Sequence, residues 1–225
     1  MKNGLKLAYA VFVVLLIASI TVSRTARVAA AEPGTIAASA NEVHPLQTGE
    51  TMPRFTVRTV SDEPFLFDPE NLDGPIVLVT FRGGWCPYCN MHLAELRHVV
   101  PELASKGVNV YFLSGDRPEL LYKSLKQETQ EDIEGLGYTI LSDANIEAAL
   151  ALGIAFKAAD STIAGREERG QDIDGSSMKN FGVLPVPAVY VVDASGRVTF
   201  SFVEPDYTVR LSADDLLKAA SQVAD

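Results

Sequence analysis

Ile76-Val77-Leu78-Val79-Thr80-Phe81 runs without a break into Arg82-Gly83-Gly84-Trp85-Cys86-Pro87-Tyr88-Cys89, and this stretch decides the fold. An almost continuous apolar run of six residues reads as a strand buried on both faces, the habit of central strands in parallel sheets. The glycine pair lets the chain turn tightly and leaves room for a partner chain. Pro87 suits the first turn of a helix, where its missing N–H would have had no partner anyway. Two cysteines three positions apart therefore sit where a buried strand becomes a helix. There the free backbone N–H groups and the positive end of the helix dipole face Cys86 and lower its thiol pKa. Cys86 is expected to be an exposed nucleophile. Cys89, one turn on, is close enough to attack a mixed disulfide or sulfenic acid formed at Cys86. His92 can assist proton transfer or simply lie solvated on the helix surface.

The same alternation continues outward. Phe55–Val57 and Phe65–Phe67 read as short strands around a Ser61–Pro64 turn. A helix fits Pro87 to Lys106, with Leu93, Leu96, Val100 and Leu103 on one stripe, a kink at Pro101 and a stop at Gly107. Val108–Leu113 is the next strand, Pro118–Glu131 a second helix, Tyr138–Leu141 a strand, and Asp143–Leu152 a helix capped by Asp143. Residues 157–183, with four glycines and nine charged residues, break the rhythm and read as an insertion or long loop. Ala188–Val192 and Val198–Val203 flank an Asp193–Gly196 turn as a hairpin, and a last helix starts near Ser212 with a capping box closed by Asp215. Parallel units followed by an antiparallel hairpin and a helix give an α/β class, a mixed central sheet with helices on both faces.

At 225 residues the chain has room for one good-sized domain plus accessories, and 47% hydrophobic residues can build a real core. The net charge of −10 disfavours nucleic acid or an anionic membrane surface as the main partner. Residues 1–31 hold four of the 19 basic residues and none of the 29 acidic ones, which leaves −14 on the remainder. They run from Lys2 and Lys6 through the uncharged stretch Leu7–Ser23 to Arg24, Arg27 and Ala31, the pattern of a secretory signal with an Ala-x-Ala site. Seventeen residues is also about the minimum for a membrane-spanning helix, so a retained anchor through residues 7–23 is the other reading. Both imply an extracytoplasmic protein: periplasmic, secreted or membrane-anchored. Residues 32–45 read as a flexible linker and 46–225 as the folded domain.

With two cysteines the chain is no disulfide-stapled scaffold. Zinc usually needs four ligands, and beyond the cysteine pair only His44, His92 and His98 are on offer, so neither a metal nor another cofactor is expected. Redox chemistry is the reading that fits.

These residues resemble the thioredoxin superfamily and, within it, the alkyl hydroperoxide reductase/thiol-specific antioxidant (AhpC/TSA, peroxiredoxin-like) redoxins. The likeness covers about residues 47–222 and rests on Gly49–Phe55, Trp85–Cys89 and Leu141–Asp143. Val186-Pro187 is similar to that superfamily's cis-proline, which faces the active-site turn; from the residues alone Pro187 is equally a trans proline leading into a strand. The likeness has departures. Laid on the peroxiredoxin Pro-x-x-x-Thr-x-x-Cys pattern, Arg82 stands at the proline, Cys86 at the threonine and Cys89 at the peroxide-reacting cysteine. Thr80 stands where thioredoxin has its buried aspartate. Arg82 and Arg210 can stabilise a thiolate or a peroxide oxygen, with a plain surface ion pair as the alternative for each. Trp85 is expected to pack over the turn and supply docking surface, and the 157–183 insertion to be either a lid over the site or a mobile loop.

The resemblance implies a thiol peroxidase that reduces hydroperoxides through a Cys86/Cys89 dithiol–disulfide cycle regenerated by a thioredoxin-type donor. The alternative is an extracytoplasmic thiol–disulfide oxidoreductase acting on protein disulfides. A copper-delivery protein on the same fold would want a distal histidine, and none follows His98.

Overall fold

A computed structural model describes residues 34–223; the segment 1–31, expected to be a signal or an anchor, lies outside the described residues. The strand Ile76–Phe81 (β3) is buried along its whole length. It pairs in parallel with β4 (Asn109–Ser114) and antiparallel with β8 (Ala188–Val192). β4 pairs in parallel with β5 (Tyr138–Ser142), β8 turns into β9 (Val198–Val203), and β1 (Phe55–Arg58) with β2 (Pro64–Phe67) forms the far hairpin. The seven-stranded order is β2-β1-β5-β4-β3-β8-β9, a mixed sheet with helices, as the alternation implied.

Successive side chains of a strand point to opposite faces, so β3 feeds two cores. Val77, Val79 and Phe81 join one cluster with both cysteines, Leu93, Leu96, Leu103 and Leu216. Ile76 and Leu78 join the other with Phe55, Phe67, Leu141 and Leu152. Each fully buried Val, Leu or Ile contributes about 1.5–3 kcal/mol, an upper figure because unfolded chains are already partly collapsed.

The helices depart from the sequence reading in instructive places. The run Pro87–Lys106 is two helices, α1 (Pro87–Leu96) and α2 (Val100–Ser105), rather than one kinked helix. Pro101 has no N–H for the fourth carbonyl back and its ring crowds that carbonyl, whereas in the first turn of α2 neither matters. Gly107, at φ +76°, ends α2 as expected. Pro118–Glu131 is a short 3-10 turn at Pro118–Leu120 and then α3 (Gln127–Ile133). α4 is Glu147–Ala151, later than expected, yet the Asp143 carboxylate still accepts from the Ala148 and Ala149 N–H groups, both at 2.8 Å. The last helix, α7 (Ala213–Ala220), has the expected cap: the Ser212 hydroxyl accepts from the Asp215 N–H at 3.1 Å.

The charged stretch 157–183 is folded. Its ends form a small antiparallel sheet, β6 (Ala155–Lys157) with β7 (Val183–Pro185), and between them lie α5 (Asp160–Glu168) and α6 (Ser177–Phe181). The stretch read as a linker is tied down from residue 34 on. Ala37 bonds on both sides, to Ala155 O and from the Lys157 N–H, and Leu46 donates to Leu152 O. Val43 and Leu46 pack on the second core. Most of the ties before Val43 are backbone bonds, which an Ala- and Ser-rich composition does not announce.

Candidate active site

Cys86 caps the N-terminus of α1 in extended backbone (φ −86°, ψ 115°), with Pro87 directly after it. Its N–H donates to Gly83 O at 3.1 Å and its carbonyl accepts from the Cys89 and Asn90 N–H groups, also at 3.1 Å. Two glycines make this turn possible. A Cβ on Gly83, at φ +149°, would meet Trp85 Nε1 at 2.3 Å and Asp116 Oδ1 at 2.7 Å; one on Gly84 would meet Ser124 Oγ at 2.1 Å. The space expected for a partner chain is thus taken by the protein's own Ser124–Leu125 segment.

The two thiols differ in acidity. The Cys86 thiol is pulled down to about 6, first by a hydrogen bond from the Cys89 thiol, against the opposing pull of burial, then by the Cys89 N–H and the Arg82 and Arg210 charges. Cys89 goes the other way, pushed up by burial and by the neighbouring Cys86 sulfur. Both are free thiols. A negative sulfur at the helix start, with a protonated sulfur bonded to it, is a pair poised for stepwise attack and condensation.

Cys86 is not exposed: each cysteine is 1% accessible. The cover joins Trp85 and Arg82, which the sequence had singled out, to Arg166, Gln171 and Tyr207, which it had not. Trp85 is 7% exposed, and its ring lies under the Arg166 guanidinium of α5 at 4.4 Å and 5.5 Å from that of Arg82. Arg82 also stands 4.4 Å over Tyr207, which meets Tyr88 edge-on. Gln171 Nε2 reaches Trp85 O at 3.4 Å. Trp85 is therefore covered by the insertion rather than offered as a free surface. Arg210 donates to Cys89 Sγ at 3.7 Å. Neither Arg82 nor Arg210 has the surface ion pair that was the alternative, among the described residues.

Pro187 follows a trans peptide, since the described residues contain no cis bond. This corrects the expectation carried by the resemblance: Pro187 leads into β8, where its missing N–H leaves no ladder bond unmade. Thr80 fixes that junction, donating to Val186 O at 3.3 Å and accepting from the Ala188 N–H at 2.9 Å. His92 is buried rather than solvated, donates from Nε2 to Leu211 O at 3.1 Å, and is held down to about 4 by burial. It stays neutral at pH 7 and anchors the segment before α7.

Besides Arg166, sequence reasoning missed two residues that hold the turn itself. Asn90 is 2% exposed and clamps the turn, donating from Nδ2 to Gly84 O at 2.6 Å and to Cys86 O at 2.9 Å while Oδ1 accepts from the Lys126 N–H at 2.8 Å. Asp116, fully buried past the end of β4, accepts from the Gly84 N–H and from Ser124 Oγ, each at 2.7 Å, and burial raises its pKa. A recess of about 200 Å³ opens beside Trp85, lined by Leu120, Lys123, Ser124, Gln171 and Asp172. A larger one of about 790 Å³, around Tyr122, Glu134 and Tyr138, has neither cysteine in its wall. The described residues contain no cluster of three metal-ligating side chains.

The model of the AhpC/TSA family matches residues 48–201, more than half of the chain and all of the turn just described. The chain belongs to the AhpC/TSA family. It is a thiol oxidoreductase of the peroxiredoxin-like kind. Solved structures of similar fold include a peroxiredoxin-like protein from Aquifex aeolicus (16% identity, TM-score 0.60, 84% of this chain and 98% of that one). The reduced Prx3 of Vibrio vulnificus in complex with hydrogen peroxide is similar at 19% identity and TM-score 0.59, over 78% of this chain and 99% of that one. The thiol-disulfide oxidoreductase ResA of Bacillus cereus is 20% identical over 153 residues, 68% of each chain.

Proposed function

We propose that this AhpC/TSA protein is an extracytoplasmic thiol peroxidase in which Cys86 attacks and Cys89 resolves. The observation that carries the reading is the acidic Cys86 sulfur, 1% exposed in the same buried cluster as Trp85 and within the field of the Arg82, Arg210 and Arg166 charges. A hydroperoxide is small enough to reach such a sulfur with little movement of the cover, whereas a folded protein, the regenerating dithiol included, reaches it only once the cover opens.

In the first step the Cys86 thiolate attacks the terminal peroxide oxygen and the O–O bond breaks. Cys86 becomes a sulfenic acid and the remainder leaves as an alcohol, or as water from hydrogen peroxide. The leaving oxygen takes up a proton from solvent as it departs, and the Arg82 guanidinium, whose charge already acts on Cys86, stabilises it. The Cys89 thiol then attacks the sulfenic sulfur, releasing water and forming the Cys86–Cys89 disulfide. A thioredoxin-type dithiol returns two electrons and two protons. The location rests on the Leu7–Ser23 run and the small residues before Ala31.

A second reading, exchange with protein disulfides, is favoured by the placement of the acidic sulfur. It is the first cysteine of the pair, while Cys89, at the position of the peroxide-reacting cysteine in the peroxiredoxin pattern, is the less acidic one. The test is peroxide consumption by reduced protein. The expected result is oxidation by hydrogen peroxide far faster than of free cysteine, with two thiols lost per turnover. A rate no better than glutathione, together with fast reduction of insulin disulfides, transfers the case to exchange.

A further inference from the structure

The chain carries ten more acidic than basic residues, yet among the described residues Arg82, Arg166 and Arg210 make no ion pair with a carboxylate. Arg82 is 7% exposed and its Nε has no hydrogen-bond acceptor; the Nε of Arg166 is buried and equally unpartnered. Arg166 reaches Gln171 Oε1 from one Nη, a neutral contact at 3.2 Å. Burial, and after it the charges of Arg169 and Arg82, lower the Arg166 pKa. Arg210 acts on both cysteines. Asp206 lies within reach of the Arg210 charge but spends its carboxylate on the Thr208 N–H and hydroxyl. Asp116, the acid beneath the turn, turns one oxygen to Gly84 and Ser124 and leaves the other unpartnered. Elsewhere arginines do find acids: Arg117 grips Asp172 with a two-pronged contact and Arg54 takes Asp68.

Like charges gathered in a partly desolvated site repel one another, and unpaired buried donors cost free energy; both are relieved by an anion. The Cys86 thiolate supplies one negative charge before reaction and none afterwards, so it cannot fill this role through the cycle. A guanidinium presents paired N–H donors that match a carboxylate. We propose that Arg82, Arg166 and Arg210 form an anion subsite over Cys86, with Arg166 delivered by the 157–183 insertion, and that it selects hydroperoxides bearing a carboxylate. The selection rests on the peroxidase reading; the subsite itself does not.

Two measurements on the reduced full-length protein separate these. The first compares alkylation of Cys86 by iodoacetate and by iodoacetamide, followed by mass spectrometry and normalised to N-acetylcysteine. The subsite raises the normalised ratio about tenfold, salt at about 0.5 M lowers it, and Arg166→Gln cuts it about threefold or more, with Arg166→Lys between. A wild-type ratio equal to that of N-acetylcysteine, or no alkylation by either reagent, overturns the subsite. The second compares oxidation by a fatty-acid hydroperoxide with oxidation by its methyl ester, and the acid is expected to be about tenfold faster. Fast and equal rates overturn the selection while leaving the peroxidase reading intact. Slow oxidation by both, with the iodoacetate preference retained, upholds the subsite and removes the peroxidase reading.

Discussion

At the scale of single residues, acidity is the property that matters. The Cys86 pKa of about 6 makes the thiolate half-populated near pH 6 and nearly complete a unit and a half higher. The rate of oxidation should therefore rise through pH 6 and level off. Arg210→Gln removes one of the charges that favour the thiolate and should move the midpoint upward, followed by thiolate absorbance near 240 nm; an unmoved midpoint would contradict the account. The linkage has a definite sign. The folded pKa lies below the ordinary thiol value of 9.0, so ionisation of Cys86 stabilises the reduced fold fully above 9 and this share is lost as pH falls through 6. Cys89, pushed above 9.0, works in the opposite sense at higher pH. The cysteine pair and its helix start could be read from sequence because a buried strand followed by Gly83-Gly84-Trp85-Cys86-Pro87 leaves few ways to fold. Asn90 and Asp116 escaped because a buried amide or carboxylate looks like any surface one until its partners are known. The usable signals were Asn90's spacing of four from Cys86, which stacks the two on one helix face, and Asp116's place at the carboxyl end of a buried strand.

At the scale of elements, the segments that departed from the helical pattern are those occupied with the site. Residues 118–126 give up a continuous helix, and from this segment the Ser124 hydroxyl reaches Asp116 and the Lys126 N–H reaches Asn90. Apolar periodicity registers a stripe facing the core and is blind to such polar ties. Asn90→Ala removes three hydrogen bonds at once and should cost about 2–4 kcal/mol, measured by urea unfolding of the reduced protein. A loss below about 0.5 kcal/mol, the level of an ordinary surface change, would show that the turn holds itself. The insertion was visible as a charged, glycine-bearing interruption. That it folds into two helices, one of which lays Arg166 on Trp85, depends on contacts with distant chain that local composition does not encode.

For the whole molecule, the net negative charge and the cationic surroundings of the thiol are two separate facts. The overall balance argues against nucleic acid as the main partner, but a sum over the chain says nothing about where unpaired arginines gather. The mixed sheet was legible in the alternation of strands and helices, because each parallel step leaves one economical path for the next strand, whereas the full order β2-β1-β5-β4-β3-β8-β9 comes from the structure. Closure of the site was one of two readings the sequence left open, since it depends on the 157–183 segment meeting a turn some 80 residues earlier in the chain. The most direct trial of the account is to treat reduced Cys86→Ser and Cys89→Ser proteins with one equivalent of hydrogen peroxide in the presence of dimedone and to weigh the products. Cys89→Ser should carry a single adduct on Cys86, formed at close to the wild-type rate of oxidation, and Cys86→Ser should remain unlabelled. An adduct forming on Cys89 of the Cys86→Ser protein at that same rate would reverse the roles of the two sulfurs and contradict the account.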